Sequence, residues 1–128
     1  MINIHESGEN YLEAILMIRK RTGGCRSVDV ARELGFSKPS VSIMMRDLRE
    51  NGYLEIDAGN DITLTEKGQK IAESVYERHT LFTKWLVSLG VDNATAAQDA
   101  CRIEHVLSKE SFEAIKRHVE NGLFSSGQ

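Results

Sequence analysis

The sequence predicts a mainly α protein, an N-terminal winged helix-turn-helix followed by a second, helical half. Three observations carry that reading. Two short helical stretches, Ser27 to Leu34 and Ser37 to Asn51, flank a tight turn containing Gly35, which is the helix-turn-helix pattern. Tyr53-Leu54-Glu55-Ile56 and Ile62-Thr63-Leu64 then alternate apolar and polar around the turn residues Ala58-Gly59-Asn60-Asp61, as a hairpin wing does. From Thr65 onward the apolar period is helical again. The expected organisation is a DNA-binding half over 1–64, a helical half over 65–122 and a frayed tail over 123–128.

The first helix should run from near Ser7 to Arg21, because Tyr11, Leu12, Ile15, Leu16 and Ile18 form one apolar stripe and Gly23-Gly24 end it. Ser27 is the expected N-cap of the second helix, and Gly35 takes the position just past its end. Ser37 caps the third, with Pro39 tolerated in the first turn. Val28, Ala31, Leu34, Val41, Met44 and Leu48 are the expected contacts inside the pair. A two-stranded hairpin is marginal alone in water, so the wing must pack on the helices. Thr65 should cap a long fourth helix that carries His79 and ends by Gly90. A fifth helix spans about Asn93 to Leu107, and a sixth runs from Ser108 to about Glu120 with Phe112, Ile115 and Val119 as its stripe.

At 128 residues, 41% hydrophobic and 27% charged, the composition is that of a soluble globular protein. No apolar run reaches the length of a membrane span, and Met1 to Asn10 lacks the basic start and apolar core of a signal peptide. Two cysteines far apart, Cys25 and Cys101, do not form a disulfide framework. These features place the chain in a reducing cytoplasm, where a thiol stays available as a ligand. The net charge of −3 hides an uneven distribution. Between Arg19 and Arg49, from the end of the first helix through the helix-turn-helix, eight basic residues face three acids, a surplus of five.

Two groups of residues carry chemistry. In a helix-turn-helix the start of the second helix meets base edges, while hydroxyls and cations reach phosphates. The DNA-facing set is Ser37, Lys38, Pro39, Ser40, Ser42, Arg46 and Arg49, although helix-start serines also serve as local caps. The second group is Cys101-Arg102-Ile103-Glu104-His105. On a helix Cys101, Glu104 and His105 share one face, giving a thiolate, a carboxylate and an imidazole for a borderline-soft divalent ion. A stable site needs further ligands, and His79 and Glu13 are the unassigned candidates.

The strings Glu9-Asn10-Tyr11-Leu12-Glu13, Arg78-His79 and Ala100-Cys101-Arg102-Ile103-Glu104-His105-Val106-Leu107-Ser108 resemble the diphtheria toxin repressor family of iron- and manganese-dependent repressors. The resemblance covers nearly the whole chain in the family's two-domain form, without an SH3-like domain. It implies a winged-helix DNA-binding domain joined to a helical dimerisation and metal-binding domain. The match to the two branches is mixed. The iron branch shares Cys101, Glu104 and His105 but has methionine where Asn10 stands and histidine where Ala97 stands. The manganese branch shares Glu13 and His79 but has aspartate at Asn10 and glutamate at Cys101. The implied site is a hybrid of Glu13, His79, Cys101, Glu104 and His105, with Asn10 a weak ligand through its carbonyl oxygen.

The expected function is therefore a metal-dependent transcriptional repressor controlling metal homeostasis. The thiolate leans toward Fe(II), with Mn(II) a close alternative because two carboxylates favour hard ions. An ion shared between Glu13 and the Cys101 turn would select the arrangement in which a homodimer presents two recognition helices to a pseudo-palindromic double-stranded operator. Phe112, Ile115, Val119 and Trp85 are candidate dimer contacts, or else core residues of the protomer. No His-Glu-x-x-His string or nucleophile–base pair points to an enzyme, and no membrane or small organic substrate is expected. The alternative is a winged-helix repressor that answers to an organic ligand or to oxidation of Cys101.

Overall fold

The structure is a computed structural model, and it describes residues 6–125. In order the elements are α1 (Glu6–Thr22), α2 (Ser27–Leu34), α3 (Lys38–Glu50), β1 (Leu54–Ile56), β2 (Ile62–Leu64), α4 (Glu66–Ser88), α5 (Asn93–Ile103) and α6 (Lys109–Ser125). They fall into two compact units divided inside α4, between Val75 and Tyr76.

In the first unit α1 supplies the floor. Tyr11, Leu12, Ile15, Leu16 and Ile18 are all buried, and Gly23 ends the helix at φ +86°, where its N–H still reaches the Arg19 carbonyl. Ser27 is the first helical residue of α2 rather than its cap. The cap is Arg26, whose backbone N–H donates to the Asp29 carboxylate at 2.9 Å. Asp29 stands at the third helical position, and its reach back to the chain entering the helix outweighs the serine's own capping preference. Gly35 adopts φ 72°, and its N–H and that of Phe36 both donate to the Ala31 carbonyl. Ser37 caps α3 by accepting from the Ser40 N–H at 3.3 Å.

The interior of the helix pair differs in phase from expectation. Val30, Ala31, Val41, Met45 and Leu48 are buried, whereas Val28 is 41% exposed and Met44 only half-buried. With apolar residues at 28, 30, 31 and 34, a helix of eight residues can present either of two faces. Contact with the rest of the unit selects the face carrying Val30.

The wing is antiparallel, with Leu54 opposite Leu64 and Ile56 opposite Ile62. Its turn is held by Asp57, whose Oδ1 accepts from the N–H groups of Gly59 and Asp61, while Asn60 takes a left-handed φ of 68°. Asp61 anchors it to the helices. Its carboxylate accepts from the Cys25 N–H at 2.9 Å and from Arg19 Nη1 at 2.9 Å. Arg19 Nη1 also donates to the Ile62 carbonyl, and the Ile62 N–H donates to the Cys25 carbonyl at 2.7 Å. The edge of β2 is thus covered by backbone from the α1–α2 loop. At the other end of the wing, Thr65 Oγ1 donates to the Gly52 carbonyl and accepts from the Gly68 N–H. A Cβ on Gly68 would collide with the Tyr53 carbonyl, so glycine is required where α4 starts.

The second unit packs Phe82, Ala100 and Phe112 into a buried cluster, with Leu81, Trp85, Ile103, Leu107 and Ile115 against it. The Phe82 and Phe112 rings meet edge-to-face at 5.8 Å. Gly90 turns the chain after α4 at φ 100°, and Asp92 caps α5. Phe112 and Val119 are each 2% exposed, so these two candidate dimer contacts are buried within the protomer itself. Ser108 accepts from the Ser111 N–H and starts α6, which extends beyond the expected Glu120 to Ser125. Of the tail expected to fray, 126–128 lie outside the described residues. Among the described residues no helix is long and apolar enough to cross a membrane.

Candidate metal centre and DNA-facing helix

The chemistry of the second unit gathers where α5 ends. The helix stops at Ile103, four residues before the expected Leu107. The Glu104 N–H still bonds the Ala100 carbonyl at 3.1 Å, but those of His105 and Val106 bond Arg102 and Ile103, tightening the last turn. That turn brings one donor atom each from Cys101, Glu104 and His105 within 4.8 Å of one another. The two side chains beyond the helix are the most enclosed, with Glu104 1% and His105 4% exposed and Nε2 lying 3.3 Å from Oε1.

Neighbouring donors around an ion at about 2.0–2.3 Å stand roughly 3–4 Å apart, so Glu104 and His105, 3.3 Å apart, already match that spacing, and the group as a whole closes on a metal by contracting by up to about 1 Å. The donor set is also right, since thiolate, imidazole and carboxylate together suit a borderline-soft dication. Burying a carboxylate is costly unless positive charge answers it, and a dication would supply that charge. The residues present fit such an ion.

Arg78, on α4, reaches this turn from the side. Its Nη1 donates to the Glu104 carbonyl at 2.9 Å and to the Leu107 carbonyl at 3.3 Å, and its guanidinium lies 5.0 Å over the Phe112 ring. Sequence reasoning did not single out Arg78 for any role, because its partners lie 26 and 29 residues downstream. His79, the next residue, is half-buried, and its carbonyl accepts from Thr83 Oγ1 at 2.7 Å. Among the described residues the mutually close donors are Cys101, Glu104 and His105, a group that does not include His79. Asn10 and Glu13 lie one turn apart on α1 in the first unit, both half-buried.

On α3 the residues Lys38, Pro39, Ser40, Ser42, Arg46 and Arg49 are all exposed. Ser37 is exposed too, with its hydroxyl engaged by Ser40 as the cap. One exposed residue escaped sequence reasoning. Ile43 is 55% exposed and sits between Ser42 and Arg46 on the outer side of the helix. Its signal was present: Val41, Met45 and Leu48 hold the buried period, and Ile43 falls out of phase with it.

Residues 3–59 match the family described as iron-dependent repressor, N-terminal DNA-binding domain. Residues 65–124 match the iron-dependent repressor metal-binding and dimerisation domain. The chain is 34% identical over 108 residues to the transcriptional regulator MntR of Escherichia coli, covering 84% of this chain and 70% of that one. It is 35% identical over 117 residues to a helix-turn-helix-type transcriptional regulator of Methanocaldococcus jannaschii, covering 90% and 94%. Among solved structures, a manganese-dependent transcriptional repressor in complex with manganese superposes with a TM-score of 0.78 at 26% identity. That match covers 88% of this chain and 52% of the other, so the chain spans about half the length of the solved structure.

Proposed function

This chain belongs to the iron-dependent repressor family of metal-dependent transcriptional repressors, and on that premise we propose that an ion held by Cys101, Glu104 and His105 switches on its operator binding. The observation that carries the proposal is the approach of the three donor atoms to within 4.8 Å around a buried carboxylate. His79 and Glu13 are proposed as the ligands that complete the shell, with Asn10 contributing through its carbonyl oxygen. The ion is a divalent transition metal. The thiolate favours Fe(II), and the carboxylates keep Mn(II) close behind.

When bound, the metal supplies positive charge and a demand for several ligands at once. The residues of the chain do the rest. Glu104 and His105 lie preset on the tightened turn, and Cys101 stands on the last turn of α5. Lys38, Ser40, Ser42, Arg46 and Arg49 form the exposed face of α3 that meets DNA, with Pro39 and Ile43 as apolar contacts to base edges. In a two-fold homodimer such faces would address successive major grooves of a pseudo-palindromic operator. The reading is of a cytoplasmic regulator, with no catalytic role for any residue.

The test is to select duplexes from a random library with the protein and Mn(II), then to titrate their binding against Fe(II), Mn(II), Co(II) and Zn(II) under anaerobic conditions, with and without chelator. Affinity should rise at least tenfold with the effective ion and fall back when it is chelated. Equal binding in both conditions would sink the proposal.

A further inference from the structure

Arg78 is held in a way that packing alone does not explain. One nitrogen of its guanidinium donates to two carbonyls, Glu104 at 2.9 Å and Leu107 at 3.3 Å, which bracket His105. Its plane covers Phe112 at 5.0 Å. Its Nε is buried with no hydrogen-bond partner among the described residues. A guanidinium is costly to desolvate, and a buried N–H without an acceptor adds to that cost. An apolar side chain of similar length would cover Phe112 without either penalty. The retained cation therefore has another use.

We infer that Arg78 is a positioning residue for the metal centre: by grasping the carbonyls on either side of His105 it holds the Glu104–His105 turn against α4 in the conformation that binds the ion. This rests on the metal reading above. The reasoning is geometric. Beyond Ile103 the chain has left the regular helix, and the carbonyls of Glu104 and Leu107 lie outside its repeating bonds. Arg78 accepts the task of satisfying them, and in doing so it sets the turn relative to α4. It also ties the ligand turn to the helix that carries His79, the adjacent residue. A ligand turn ordered before the ion arrives loses less freedom on binding, which is why groups supporting metal ligands are worth about 10–100-fold in affinity.

The experiment compares the unmutated protein with R78M, R78K and V119A, using Co(II) as the probe. Affinity is read by competition with a chromophoric chelator. The thiolate-to-Co(II) absorption band reads the coordination of Cys101, and thermal unfolding without metal reads stability. R78M should bind Co(II) about 10–100-fold more weakly, with an altered band at saturation, and R78K should recover part of the loss. V119A, at a buried α6 position, should lower the unfolding temperature yet leave affinity and band within twofold, which separates positioning from packing. If R78M binds within twofold of the unmutated protein, or if V119A loses as much affinity as R78M, the inference is overturned while the metal reading stands. If the unmutated protein shows no thiolate band, the metal reading itself falls and this one with it. Should R78M not fold, side-chain NMR of the unmutated protein decides. Slowly exchanging Arg78 N–H signals that shift on Zn(II) addition support the role, and signals at solvent exchange rates or unmoved by Zn(II) overturn it.

Discussion

Each unit of this protein holds one cysteine, and the two could hardly be used more differently. Cys25 lies 1% exposed in the first unit, with its backbone paired to the wing and its thiol donating to the Arg26 carbonyl at 3.8 Å. Burial pushes that thiol up to about 12, nearby Asp29 pushes the same way, and Arg19 opposes them. Cys101 stands half-buried at the end of α5, with a carboxylate and an imidazole within 4.8 Å. The contrast extends to the charges. The first unit keeps Arg19 and Asp61 at its rim, each about a third exposed, where they join helix to wing. The second unit takes Glu104 to 2% exposure beside His105. Arg19 and Asp61 answer each other across two elements, whereas a buried acid beside a thiol and an imidazole is the composition of a candidate metal centre.

The largest effect that would break this comparison is at Glu104. Glu104→Gln keeps the shape and removes the charge, so the unmetallated fold should remain while Mn(II) affinity falls by roughly 100-fold or more, beyond what supporting residues alone are worth. A competition titration measures it, with far-UV circular dichroism as the control. Unchanged affinity would mean that the buried acid is merely structural.

The cysteines themselves give the next test. At pH 8 a thiol with a pKa near 12 is about one part in ten thousand thiolate, and burial hinders access further. Iodoacetamide should therefore label Cys101 at least tenfold faster than Cys25 in the native protein, as read by peptide mass spectrometry. Mn(II) should slow labelling at Cys101 and leave Cys25 unaffected. Equal labelling of the two would erase the distinction between the units.

A smaller effect lies at the rim of the first unit. The Cys25 N–H, and then Arg19, hold the Asp61 carboxyl below its ordinary 3.8. A depressed acid lends stability above its unfolded pKa and loses it as the pH falls through the lowered folded value. The wing should thus weaken only in acid, below about pH 4, and Asp61→Asn should lower the unfolding temperature at neutral pH while flattening its fall in acid. Melting curves between pH 3 and 7 decide, and parallel curves for the two proteins would remove Asp61 from the account. The same substitution should leave metal affinity unchanged, keeping the units' roles apart.

Much of this was legible from residue order because the signals were local. Ser37 with Pro39, Gly35 after Leu34, and Asp57 to Asp61 between two alternating runs each determine a few dihedral angles by themselves, and the structure places caps, turn and wing accordingly. The placement of Cys101, Glu104 and His105 on one side also follows from spacing alone. What could not be read depends on distant partners. Nothing between Ile103 and Ser108 breaks a helix, yet α5 stops at Ile103, and the carbonyls of Glu104 and Leu107 beyond its end are held by Arg78 from another helix. Phe112 suited a dimer contact equally well until Phe82 and Arg78 were seen to cover it. Val28 and Val30 could exchange faces of a two-turn helix, and only the tertiary contacts chose between them.

The smallest effect concerns Ile43, which sharpens the division by lying wholly on the α3 surface proposed to read DNA. At 55% exposure it contributes little to the core, so Ile43→Ala should change unfolding free energy by no more than about 0.5 kcal/mol. Its neighbours Ser42 and Arg46 are polar, so its branched apolar tip is the group on that stretch of α3 best suited to a thymine methyl in the major groove. Burying one methyl is worth about 0.8 kcal/mol, which is about fourfold in binding. Replacing the contacted thymine by uracil in a selected duplex should therefore weaken the unmutated protein about fourfold. It should leave Ile43→Ala, already weakened, almost indifferent to the change. The comparison needs both proteins and both duplexes, since Arg46 and the phosphate contacts are common to all four pairings and cancel. If the two substitutions add independently instead of cancelling, Ile43 does not touch that methyl, and its exposure has some cause other than the operator.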